Sequence, residues 1–151
     1  MSEARVLKIK SSLALKMERA GGRSYAELGR RADEALEAHR DRVMVTIREH
    51  LEALGALCTA EEEGAGGRIY AIAAGIVDIA GYFDTGPLYE AAYSLCDTVD
   101  RMLGADAWRW PSIAVHHRAL ALILADGCRT SQASTVLIEG LHAVARKAGG
   151  E

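Results

Sequence analysis

Residues 69–83 read Ile69-Tyr70-Ala71-Ile72-Ala73-Ala74-Gly75-Ile76-Val77-Asp78-Ile79-Ala80-Gly81-Tyr82-Phe83, with Asp78 the one charged side chain in the run. At about 100° per residue, Ile69, Ile72, Ile76, Ile79 and Phe83 fall within about 80° of one another. Ala73 and Ala80 widen that stripe. The period is that of a helix with one face turned into a core, and no period-2 series in the chain competes with it. The fold class that follows is all-α.

The same signals extend to both sides. Asp84-Thr85-Gly86-Pro87 is a stop and a restart, since Pro87 suits the first helical position, where its missing N–H costs nothing. The next helix is expected over 88–103, with Leu88, Ala92, Leu95 and Val99 inward. Residues 104–110 read as a linker with room for one helical turn, and Pro111 opens a helix ending near Gly127. A last helix starts after Thr130 or Ser131 and runs to about Lys147, where Arg146 and Lys147 complement its dipole. Towards the N-terminus, Ser24 and Glu27 form a capping box. A long helix follows to about Leu57, its apolar stripe marked by Leu28, Ala32, Ala35, Leu36, Val43, Ile47, Leu51 and Leu54. Thr59 and Glu62 read as a second capping box, although Gly64, Gly66 and Gly67 move the next helix start towards Arg68. Glu61, Glu62 and Glu63 read as a favourable charge cluster at that start.

Half of the 151 residues are hydrophobic and 26% are charged, which suits one domain with a core and excludes a disordered chain. The net charge of −3 argues against a general nucleic-acid binder. That charge is uneven. Residues 1–23 hold Arg5, Lys8, Lys10, Lys16, Arg19 and Arg23 against Glu3 and Glu18, or +4, so residues 24–151 carry −7. The expected organisation is a basic arm over 1–23, mobile or a short strand, a helical bundle over 24–148, and a tail over 149–151. Lysines interrupt the N-terminal apolar residues and no run reaches membrane-span length, so a cytoplasmic protein is expected, with no membrane partner.

Cys58, Cys96 and Cys128 are 38 and 32 residues apart, a spacing that suits neither zinc nor a disulfide framework. The histidines are His39, His50, His116, His117 and His142. His39 and His50 point the same way but sit three turns apart, and His116 and His117 diverge by about 100°. No metal site and no cofactor are expected, and the histidines read as surface or rim residues. Trp108 and Trp110 read as core packing or as a lid over one end of the bundle.

The segment Ala71–Tyr82 resembles the phosphate-accepting helix of histidine-phosphotransfer domains, which are four-helix bundles. Gly75 and Gly81 stand at the two glycines of that family's motif, and Ile69, Ile72 and Ile76 fit its core positions. Ala71 stands where the family keeps its histidine, and Ala74 where it keeps a lysine. The resemblance therefore implies an antiparallel four-helix bundle without phosphotransfer chemistry, here with an added C-terminal helix. The opening Val6-Leu7-Lys8-Ile9-Lys10-Ser11-Ser12, with Gly21-Gly22, is similar to the start of the CheE-type accessory proteins of alphaproteobacterial chemotaxis operons.

Ala71, Gly75, Asp78 and Tyr82 fall within about 60° of one another, away from the isoleucines. In histidine-phosphotransfer domains this face docks a response-regulator receiver. The expected function is a non-enzymatic adaptor of a two-component or chemotaxis pathway. It would bind a receiver, kinase or adaptor through Ala71, Ala74, Gly75, Asp78 and Tyr82, or through Lys8, Lys10 and Lys16 of the arm. A second reading is a true phosphotransfer protein using His116 or His117, with Arg118 as the donor to the phosphoryl group. A third is a homodimerisation module built on the long first helix.

Overall fold

The computed structural model describes residues 24–83 and 85–149, and the described residues form five α-helices: α1 (Tyr25–Ala60), α2 (Gly66–Tyr82), α3 (Pro87–Gly104), α4 (Trp110–Ala125) and α5 (Gln132–Ala148). No strand occurs among the described residues. The chain divides into two compact units, Met1–Asp41 and Arg42–Glu151, with the boundary inside α1. The basic segment 1–23, with Lys8, Lys10 and Lys16, lies outside the described residues.

In the first unit, Ser24 caps α1: its Oγ accepts the Glu27 N–H at 3.2 Å. Leu28 and Leu36 are exposed, the latter by 62%. The stripe expected from Leu28 to Leu57 thus belongs to the core only from Val43 onward. Periodicity reports that a helix is one-sided, not that its apolar side is covered.

In the second unit, α3 packs against α2, α4 and α5, and α4 also packs against α5. Leu88, Ala92, Leu95 and Val99 of α3 are fully buried, as their spacing requires. The last turns of α1 add Ile47, Leu51 and Leu54 to the same core. From α2 the inward residues are Ile69, Ala73, Ile76 and Ala80, whereas Ile72 and Ile79 are half-buried at the rim. The buried stripe is thus turned towards the alanines. Helix α5 is integral: Ile138, Leu141 and Ala148 join the core cluster.

The helix ends show their causes. Pro87 and Pro111 both fall in a first turn. Thr85 is buried, and its Oγ1 donates to Ala80 O at 3.0 Å, pairing a carbonyl that the end of α2 leaves open. Thr59 is not a cap. It lies inside α1 and donates to Gly55 O at 2.9 Å, so α1 runs on to Ala60. Glu62 instead pairs with Arg68 across the turn. Residues 105–109 contain a turn and extended chain, not a helix.

At α5 the capping residue is Ser131. Its Oγ accepts the Ser134 N–H at 3.2 Å, and Ser134 Oγ accepts the Ser131 N–H at 2.8 Å. Ser131→Ala is expected to cost about 1 kcal/mol of stability, read as a lower urea midpoint at unchanged slope.

Candidate functional site

The outward side of α2 follows from its inward side. With Ile69, Ala73, Ile76 and Ala80 buried, the residues half a turn round are Ala71, Ala74, Asp78 and Tyr82. Ala71 and Asp78 are exposed, and Tyr82 is exposed by 87%. Ala74 and Gly75 are half-buried. Of the four residues expected within one 60° face, Ala71, Asp78 and Tyr82 are exposed and Gly75 is not.

Gly75 differs, because a neighbour already occupies its space. A β-carbon there would lie 2.8 Å from Nε2 of His50, which reaches over from α1. His50 is held by its other nitrogen: Nδ1–H donates to Thr46 O at 2.8 Å. The glycine therefore seats an imidazole from within the unit. The same device recurs on the other flank of α1. A β-carbon on Gly55 would lie 2.9 Å from Nε2 of His117, and that Nε2–H donates to Leu51 O at 3.1 Å. Ala53, Ala56 and Ala60 of α1 and Ala71 and Ile72 of α2, together with Glu62 and Arg68, line a shallow groove.

On the α3 side, Asp78 lies close enough to Cys96 to act on its thiol. Burial first, and the Asp78 carboxylate second, push that thiol up to about 11. Burial and Glu61 likewise push Cys58 up. Both thiols are therefore poor nucleophiles at neutral pH.

The two alternative phospho-acceptors are placed differently. His116 is not a rim residue; it is 0% exposed at the centre of the unit. Its Nδ1–H donates to Ser112 O at 2.7 Å. Nε2 therefore accepts, and Ser94 Oγ, at 3.1 Å, supplies the proton. Thr98 Oγ1 lies 3.3 Å away, but its own hydrogen goes to Ser94 O. Burial holds the His116 pKa below its ordinary value; the Ser112 bond pulls it up and His142 pulls it further down. This imidazole has neither an open nitrogen nor solvent for an incoming phosphoryl group. His117 is half-buried, with Nε2 engaged as described.

No protein-family model, curated protein or solved structure matches this chain. The chemistry has to be read from the residues alone. Among the described residues, no three His, Cys, Asp or Glu side chains converge in a metal-holding group. No described helix is long and apolar enough to cross a membrane. Trp108 and Trp110 meet edge to face, 5.4 Å between ring centroids, and pack half-buried on the core. Trp108 also lies against Gly66, so the pair closes the end where α2 begins and α3 finishes.

The feature that the sequence reading passed over is a set of aromatic residues beside the α2 face. Tyr89 and Tyr93 are exposed on α3, stacked with ring centroids 6.4 Å apart. Tyr89 lies on Gly81 of α2, where a β-carbon would be 3.3 Å from its ring. The available signal was their spacing. Positions 89 and 93 are one turn apart and out of phase with Leu88, Ala92, Leu95 and Val99, so they could not point into the core.

Proposed function

We propose that this chain is a non-catalytic adaptor of a two-component or chemotaxis pathway that binds a receiver domain, kinase or adaptor through the outward face of α2. In this reading α1–α4 correspond to the helices of a histidine-phosphotransfer bundle and α5 is additional. The supporting observation is the composition of that face: Ala71, Ala74, Asp78 and Tyr82 give two small residues, one carboxylate and one almost fully exposed phenol. Small residues let another backbone approach closely, and a tyrosine on a fixed helix is a low-entropy anchor. The histidine of the resembled motif is replaced by Ala71, so docking without phosphoryl transfer is what this face can do.

The variant that tests the proposal is Ala71→Arg, because Gly75→Arg would strike His50 and disturb the packing of α1 on α2. Titrated with purified receiver domains, Ala71→Arg combined with Tyr82→Ala is expected to weaken binding about tenfold or more, the loss typical of removing an anchor residue. Unchanged affinity with the helical circular dichroism intact would remove the face from the proposal.

A second reading has its own observation. Leu28 and Leu36 are exposed on the first unit's part of α1, as a helix that pairs with a second copy requires. Sedimentation across a range of concentrations is expected to show self-association that Leu36→Glu abolishes. A monomer at every concentration would dispose of it.

A further inference from the structure

From Ile69 to Asp100 the chain contains no lysine, arginine or histidine and five acids: Asp78, Asp84, Glu90, Asp97 and Asp100. The same interval holds Tyr70, Tyr82, Tyr89 and Tyr93, four of the chain's five tyrosines, and its one phenylalanine. The structure places these four tyrosines on α2 and α3, between 39% and 87% exposed. At the corner where α2 ends and α3 begins, Tyr82, Phe83 and Tyr89 line an open groove of about 550 Å³, with Glu90 at its edge. Tyr82 and Phe83 are in ring contact, and Tyr93 continues the aromatic surface one turn along α3.

We infer that this α2–α3 face is a docking surface for a lysine- and arginine-rich segment of a partner protein. The inference rests on the reading of the chain as a protein-binding module and adds the chemistry of what it binds. Exposed phenol rings are the side chains most often found as interface anchors, and they are rare on a surface with no partner. Their ring faces attract ammonium and guanidinium groups, and the carboxylates among them attract the same groups at longer range. Of the four carboxylates on described residues, Asp97 already holds Arg101 at 2.9 Å, which leaves Asp78, Glu90 and Asp100 to set the field. The same charge pattern excludes other occupants. Two copies of this face would meet acid against acid, since Arg101, the base beside it, is already held by Asp97. Nucleic acid and anionic lipid would be repelled.

The test uses the full chain and a synthetic peptide alternating lysine and valine, with glutamate in place of lysine as the control. The lysine peptide is expected to shift the tyrosine resonances of α2 and α3, and the control to shift none. Tyr89→Ala with Tyr93→Ala, which leaves the charge unchanged, is expected to weaken binding about tenfold, and Asp78→Asn with Asp100→Asn to do the same. Glu52→Gln removes a charge from the α4 side of α1 and is expected to have no effect. Equal weakening by Glu52→Gln, or none by the tyrosine pair, overturns the inference, because net charge alone would then explain the binding. Tighter peptide binding by a Lys8→Gln, Lys10→Gln, Lys16→Gln chain also overturns it, since the occupant would then be the chain's own basic segment. Receiver binding that Ala71→Arg abolishes and the tyrosine pair leaves intact removes this inference and keeps the adaptor reading. Peptide binding at the tyrosines without any receiver binding does the opposite.

Discussion

Replacing His116 by alanine is expected to cost about 3–4 kcal/mol, a large share of the 5–15 kcal/mol typical of a domain. The ring is fully buried, so truncation leaves a cavity lined by α3 and α4. It also strands Ser94 Oγ, whose hydrogen then has no ring nitrogen to meet. His116→Phe separates the two effects. It fills most of the volume and keeps the polar loss, so about 2 kcal/mol is expected. Urea unfolding of both variants measures the difference.

The same residue makes stability depend on pH in a defined direction. Burial holds the folded His116 pKa below its ordinary value, while in the unfolded chain it titrates near the ordinary histidine value of about 6.5. Below that pH the unfolded chain binds more protons than the folded one. The contribution is therefore complete above about pH 6.5 and is lost as the pH falls towards the folded value. Unfolding midpoints are expected to drop through the mildly acidic range. In His116→Phe that part of the slope should vanish; an unchanged slope would show that another group carries it.

The second large effect concerns the glycines under histidines. On an exposed helix, glycine to alanine gains about 1 kcal/mol. Gly140 of α5 has nothing within 4 Å of a β-carbon, so Gly140→Ala is expected to show that gain. Gly55 and Gly75 are equally helical, yet their β-carbons would lie 2.9 and 2.8 Å from an imidazole nitrogen. Neither ring can turn aside without loss, because His117 is tied to Leu51 O and His50 to Thr46 O. Alanine at either site is expected to forfeit the gain. Leucine is expected to destabilise by about 3 kcal/mol, through overpacking and a broken hydrogen bond. Thermal unfolding of the three alanine variants side by side checks the contrast. Equal gains at Gly55, Gly75 and Gly140 would mean that the histidines are free to move.

What could be read in advance divides along physical lines. Starts at Pro87, Pro111 and Ser131 were legible because proline geometry and a serine cap act within one turn. The outward position of Ala71, Asp78 and Tyr82 was legible for the same reason, being the geometry of a single helix. What required two helices was not legible. The reading of His116 as a rim residue failed because Ser94 and Thr98 lie on α3, 22 and 18 residues away, and only packing brings them to its ring. Gly75 was read as part of an open surface because nothing local announces His50. The one-sided pattern of α1 was legible along its length, but Leu28 and Leu36 are exposed where Ile47 and Leu54 are buried, and periodicity alone does not say which part of a stripe is covered.

The closing of one end of the second unit by Trp108 and Trp110 has an optical consequence. These are the chain's only indoles, and they sit where α2 begins and α3 ends. The Tyr82 and Tyr89 phenols lie at the other end of the same two helices. Indole emission can be excited apart from phenol emission, so the molecule carries two native reporters separated in space. Tyr25, Tyr70 and Tyr93 add to the phenol signal, so quenching that spares the indoles and disappears in Tyr82→Phe with Tyr89→Phe marks a ligand bound at the aromatic corner without loosening of the fold. A change confined to the indoles records fraying at the opposite end. Neither measurement needs an introduced dye.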